Sequence, residues 1–389
     1  MRILAGRIAD ARSVRDHISV RVSEGRISAI EPWTDATRPE AGDVDARNAL
    51  VMPGFIDIHV HGGAGRNIME GTDECFSEIA RHLGRYGVTG FLATTVTGSW
   101  DDQARAISVG AHMMRRESEQ SSDAVQGAAV LGCHLEGPYI NLDKRGAQPR
   151  QFILPPDPGD LLRHVGANLA AIKVVTLAPE LPGALDLIRF LAQHRILPSV
   201  GHTDATYAEV SAAIDAGARH VTHCYNAMRQ LGSREPGVVG AAMARPELSA
   251  ELIWDNVHVH PASCRALVRA KGAAGVILIS DGIPGVGMPD GYGFSLGDLP
   301  VVVKDGSARL PDGTLAGSLL TLDVAVRNAS DFTLQERARM SSRNAAVALG
   351  LGARKGLIAP GFDADLVVLA EASHVLHTFV RGQAVFEST

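Results

Sequence analysis

The chain's 389 residues are 46% hydrophobic and 21% charged with a net charge of −6, enough for one large catalytic domain and a smaller partner. That acidic balance excludes the basic face that nucleic-acid binding requires, and no run of eighteen apolar residues is present to cross a membrane. Cys75, Cys133, Cys224 and Cys264 lack C-x-x-C spacing and read as buried thiols, and Arg and Asp interrupt the opening MRILAGRIADARS where a signal peptide needs an apolar core, so the expected address is the cytoplasm.

Residues 1–50 alternate apolar and polar over short stretches such as HISVRVSEGRISAIEP, which predicts β-strands joined by turns. Short apolar runs then alternate with helical patterns: FIDIHVHG (55–62), TGFLATTV (89–96), AAVLGCHLEG (128–137), AAIKVVTLAPE (170–180), ILPSVGHTD (196–204), RHVTHCYNAM (219–228), AELIWDNVHVH (250–260) and GVILISDG (275–282). Between them, ECFSEIARHLGRYG and YAEVSAAIDAGA carry apolar residues at helical spacing and contain a glycine near their ends. The C-terminal stretch KGLIAPGFDADLVVLAEASHVLHTFVRGQAVFES returns to the β character of the N-terminus. A doubly wound open sheet competes with a barrel for the central region. The count of eight runs, nearly all ending in polar chemistry, favours a (β/α)8 barrel of the TIM type over residues 53–355. Residues 1–52 and 356–389 are expected to form a small β-sandwich domain.

His59 and His61 are two apart on the first run, so both imidazoles leave one face of a strand and converge. Imidazole nitrogen binds divalent metals well, though two hydrogen-bonded histidines at a barrel mouth would give the same pattern. Similar groups end other runs: Glu136 after His134, His202 before Thr203, His223 before Cys224, and Asp281 before Gly282. In a barrel all these ends face one mouth, where a cation would compensate the clustered carboxylates. Taken singly, Glu136 could hold a turn before Pro138, His202 could cap a helix, and Asp281 could be an ordinary strand-end acid. His134 could ligate or merely pack beneath the site.

The segments PGFIDIHVHGGAG, HLEGPYINLDKRGAQP, GHTDATY, VTHCYNAM, SREPGVVG, DNVHVHP, ISDGIP, DGTLAGS and GLIAPGFDADLVVL appear in order from about residue 50 to residue 370. In these segments the chain resembles the N-acetylglucosamine-6-phosphate deacetylase family of the amidohydrolase superfamily. The resemblance implies deacetylation of N-acetylglucosamine 6-phosphate, with Glu136, His202 and His223 on a principal divalent metal. It implies a second metal on His59 and His61 with Glu136 bridging, so one or two ions per subunit, Zn ahead of Fe, Co or Mn. Asp281 is then the general acid/base, and Gln148, Asn226, the backbone of Ala227, Arg234 and His258 meet the substrate. It also implies a homodimer in which Arg234 reaches the neighbouring subunit's site, although Arg234 read by itself is a solvated loop charge. No nucleic-acid or membrane partner is expected.

Three positions depart from the family's pattern. Gln148 stands where some relatives have a histidine, Trp254 and Asn256 precede His258 and are expected to reshape the sugar pocket, and a Gly-rich loop, GVGMPDGYG, follows Pro284. N-acetylgalactosamine 6-phosphate is the nearest rival substrate. A cyclic-amide hydrolase or deaminase would want a bridging lysine, for which Lys173 sits too early in its run, and a dead scaffold would have lost ligands that this chain keeps.

Overall fold

The computed structural model describes residues 1–34, 36–119, 126–297, 299–370 and 374–388. All eight predicted runs are strands: Phe55–Val60, Val88–Thr95, Ala129–Glu136, Ile172–Leu177, Leu197–Val200, His220–Val221, Ser249–Ile253 and Val276–Ile279. They lie parallel and in chain order within one sheet. A parallel bridge from Val60 to Gly282 brings the eighth strand round beside the first, and the Asp281 N–H donates to the His59 carbonyl at 3.0 Å. The first, second and eighth strands are buried along their whole length, as continuous apolar runs must be when helices cover one face and the barrel interior the other.

The helices follow from local signals. Asp73–Gly84 begins at Thr72, whose hydroxyl accepts from the Cys75 N–H. Tyr207–Ala216 opens with a Thr206–Glu209 capping box and stops at Gly217. Among the described residues no helix is long and apolar enough to cross a membrane.

Both termini build a separate seven-stranded sheet from Arg2–Ala9, Val14–Ser23, Arg26–Pro32, Val44–Pro53, Leu366–Leu369, Val375–Val380 and Gln383–Glu387. Its pairings are antiparallel except that Arg2–Ala9 runs parallel to Val44–Pro53. Ile3, Val20, Val51, Leu366 and Phe379 form its own core, distinct from that of the barrel. Glu371, Ala372 and Ser373 of the predicted C-terminal stretch lie outside the described residues.

The region after the Gly-rich loop adds an element that the sequence patterns did not predict. Gly293–Leu296, Leu299–Lys304 and Ser307–Arg309 form a small antiparallel sheet inserted after the eighth barrel strand. Leu296, Val301 and Ala308 pack with Ile283 and Val96, which seats this sheet on the barrel mouth.

Candidate active site at the barrel mouth

The chemistry gathers at the C-terminal ends of the barrel strands. His59 lies within the first strand and His61 just beyond it, and both are buried. Glu136 is the last residue of the third strand, and Gly137 follows with a left-handed φ of 79°. A Cβ there would meet the Thr97 hydroxyl at 2.1 Å, so the turn that aims Glu136 requires glycine. His202, His223 and Asp281 each follow a strand end with positive φ, at 47°, 28° and 50°. Backbone in this region is costly for a residue with a side chain, and such strain concentrates where function demands a particular aim.

These groups meet. The Oε1 atom of Glu136 is 3.1 Å from His202 Nε2, 3.0 Å from His223 Nε2 and 3.3 Å from His59 Nε2. Its Oε2 atom is 3.3 Å from His61 Nε2 and accepts from Gln148 Nε2 at 2.5 Å. Asp281 Oδ1 lies 3.3 Å from His61 Nε2 and 3.6 Å from His59 Nε2. Ring nitrogens also face each other, His59 to His61 at 3.2 Å and His202 to His223 at 3.1 Å.

The tautomers follow from what lies behind the rings. His202 Nδ1 is 2.8 Å from the Lys144 carbonyl, His61 Nδ1 is 3.2 Å from the Thr94 carbonyl, and His59 Nδ1 is 3.0 Å from Glu251 Oε2. Carbonyl and carboxylate oxygens only accept, so each Nδ1 donates its proton and each Nε2 presents a lone pair to the centre. Lone pairs converging at about 3 Å repel unless a proton or a cation lies between them. This donor set therefore fits divalent metal in two adjoining places, Glu136–His202–His223 and His59–His61–Asp281.

Charge balance agrees. Burial opposes ionising Glu136, yet His59 and His202 outweigh it and hold the carboxyl well below its ordinary range. Burial likewise opposes a charge on His61, but hydrogen bonds to Asp281 and Glu136 lift its pKa to about 9. In the bare protein the imidazoles neutralise the carboxylates by holding protons, and metal binding at such a site releases them.

The cluster opens into a cavity of about 410 Å³, whose wall includes Glu136, Gln148, His202, Asn226, His258 and Asp281. That size suits a small metabolite. His258 Nδ1 bonds Asp255 Oδ2 at 2.6 Å, and although burial opposes it, this partner raises the imidazole's pKa, which favours a cationic ring facing the cavity. Ala227 also lines the wall, with a left-handed φ of 50°.

The amidohydrolase family model matches residues 50–385. N-acetylglucosamine-6-phosphate deacetylase of Bacillus subtilis (strain 168) is 38% identical over 378 residues, covering 95% of this chain and 93% of the relative. The chain belongs to the N-acetylglucosamine-6-phosphate deacetylase family of amidohydrolases. A similar relative, N-acetylgalactosamine-6-phosphate deacetylase of Escherichia coli O157:H7, is 37% identical over 372 residues, covering 95% of this chain and 94% of that one. Among solved structures, a variant of the Mycobacterium smegmatis N-acetyl-D-glucosamine-6-phosphate deacetylase in complex with N-acetyl-D-glucosamine-6-phosphate superposes with a TM-score of 0.90 at 32% identity, covering 99% of each chain.

Within this deacetylase-family frame, ten of the eleven sequence-predicted site residues gather in the cavity wall or directly beneath it. Arg234 does not: it is exposed on a loop outside the cavity wall and makes no ion pair among the described residues. The neighbouring Glu235 pins that loop by accepting from the Tyr207 and Gly237 N–H groups at 2.8 and 2.9 Å. His134 packs beneath the site, its ring against His59 and its Nε2 on Thr176 at 2.7 Å; burial, then His59, pushes its pKa down to about 3. Lys173 lies at the far end of its strand, donating to the Ala170 carbonyl at 2.6 Å, so it bridges nothing.

The expectation that Trp254 and Asn256 reshape the pocket is corrected. Trp254 is 1% exposed and packs into the barrel core beside Phe332, while Asn256 is exposed at a turn, and neither lines the cavity. Reading the sequence missed three contributors. Lys144 and Arg309 bring positive charge to the cavity wall, the latter from the inserted sheet. Glu251 stands fully buried behind the site, and its one signal was an acid inside an otherwise apolar run.

Proposed function

We propose that this enzyme hydrolyses the N-acetyl group of N-acetylglucosamine 6-phosphate, yielding acetate and glucosamine 6-phosphate. The observation that carries this reading is the convergence of four imidazoles, Glu136 and Asp281 on one wall of a metabolite-sized cavity. Glu136, His202 and His223 would hold the principal divalent cation. His59 and His61, with Glu136 between, would hold a second, and zinc suits these donors best.

When bound, the cation lowers the pKa of an attacking water and draws charge from the amide carbonyl. Asp281 takes the water's proton as the attack proceeds and delivers it to the departing sugar amine, acting as base and then acid. Gln148 keeps Glu136 aimed, its own carbonyl tied to the Thr97 N–H at 2.7 Å. Asn226, the Ala227 backbone and His258 grip the far end of the substrate, holding the acetyl group in line. Arg234, free on its loop, completes the phosphate site of a second copy in a homodimer. The four buried free thiols suit a reducing cytoplasm.

A second reading, N-acetylgalactosamine 6-phosphate, is favoured by one observation: the relative of that specificity is nearly as similar as the glucosamine-specific one. Acetate release from both phosphates and from unphosphorylated N-acetylglucosamine separates the cases. The expected order puts N-acetylglucosamine 6-phosphate first and the unphosphorylated sugar roughly a hundredfold or more lower in kcat/KM, because remote binding energy is spent at the reacting centre. Faster release from the galacto epimer would transfer the assignment. Acetate from none of them would end it.

A further inference from the structure

The seventh barrel strand carries Glu251, a carboxylate with no exposed surface. Its Oε2 atom accepts from His59 Nδ1 at 3.0 Å and from the His223 backbone N–H at 3.0 Å. Its Oε1 atom faces His220 Nε2 at 3.1 Å, and His220 Nδ1 is braced in turn by the Ser249 hydroxyl at 2.6 Å. One side chain thus touches one histidine from each of the two adjoining donor groups, yet stands outside the cavity wall.

The four imidazoles of the site are not backed alike. Neutral carbonyls stand behind His61 and His202, and His223 Nδ1 has no hydrogen-bond partner among the described residues. Among the described residues, His59 alone of the four has a carboxylate behind it. A carboxylate fixes the ring tautomer more firmly than a carbonyl and makes the opposite nitrogen a stronger donor to metal. The bond to the His223 N–H also clamps a backbone held at φ 28°.

We propose that Glu251 is a positioning residue that keeps the His59 proton on Nδ1 and thereby strengthens cation binding at the His59–His61 side of the site. This inference rests on the metal-dependent reading above. Glutamine at this position keeps a carbonyl oxygen for the His59 and His223 N–H groups but removes the negative charge, so the His59 proton is held less firmly and Nε2 becomes a weaker donor to metal.

Two measurements test it. Nitrogen-15 histidine spectra of the zinc-loaded wild type, assigned by difference from single-histidine variants, should show His59 protonated at Nδ1 with Nε2 shifted by metal. Calorimetric titration of zinc into metal-free Glu251→Gln should show the weakest-bound ion released about 10- to 100-fold more readily than in wild type, with an unchanged circular dichroism spectrum. A wild-type His59 carrying its proton on Nε2, or a folded variant with wild-type zinc constants, overturns the proposal. If the variant does not fold, the wild-type spectrum decides alone. A wild type that takes up no zinc defeats the metal-dependent reading itself, a failure told apart because it needs no variant.

Discussion

Two charge clusters in this molecule both hold buried carboxylates and differ in what neutralises them. Where the terminal sheet meets the chain leaving the barrel, buried Lys355 contacts Asp365 and lies 3.1 Å from Asp363, and Arg354 lies 2.7 Å from the same Asp363. Two cations meet two carboxylates, and the spare Asp365 oxygen accepts from the Arg381 N–H at 2.9 Å. At the barrel mouth Glu136, Asp281 and Glu251 are also buried, but their only ion-pair partners among the described residues are histidines. The first cluster is complete within the chain. The second leaves converging lone pairs that a cation from solution must satisfy, and that incompleteness, rather than burial, marks it as functional.

The sharpest way to break this comparison is to remove charge from each side. Asp281→Asn should lower kcat about a hundredfold or more, while metal on Glu136, His202 and His223 is retained and the thermal midpoint stays near the wild-type value. Near-normal turnover would strip Asp281 of its acid/base role. Lys355→Met should do the reverse. It takes the shared cation from two buried carboxylates, leaving Asp363 with Arg354 and Asp365 with the Arg381 N–H, and should cost about 3–5 kcal/mol in a denaturant melt, with kcat of the folded enzyme within about twofold of wild type. A neutral result would show that the junction is not held by its charges.

The smallest effect is in acid. Burial opposes ionising Asp363, yet Lys355 and Arg354 outweigh it and hold its pKa below the ordinary 3.8. A carboxyl depressed on folding contributes stability that is present above its unfolded pKa and lost as pH falls through the folded value. The stability gap between wild type and Asp363→Asn should therefore be constant above about pH 4 and narrow below it. A gap that widens on acidification would reverse the assigned sign.

Much of this was legible in the sequence because the barrel strands are buried on both faces. Continuous apolar runs ending in His, Glu or Asp could be counted, and the His59–His61 spacing announced a shared direction. The sheet at 293–309 was not legible: its strands are short, separated at Gly297 and Gly306, and follow directly on the Gly-rich loop. Trp254 misled because nearness in sequence to His258 suggested the pocket, whereas the strand ends at Ile253 and the chain bends there, leaving Trp254 packed inward beside Phe332. Glu251 escaped because its meaning lies in what stands across the barrel from it, which one-dimensional spacing does not encode. The left-handed turns at His202, His223 and Asp281 likewise leave no mark in residue type, since none of them is glycine.

The central claim is tested most directly by measuring acetate release from N-acetylglucosamine 6-phosphate alongside metal content. A chelated, metal-free preparation should be inactive, and stepwise zinc should restore turnover in proportion to ions bound, saturating at one or two per chain. Full turnover by protein carrying no metal would contradict the account.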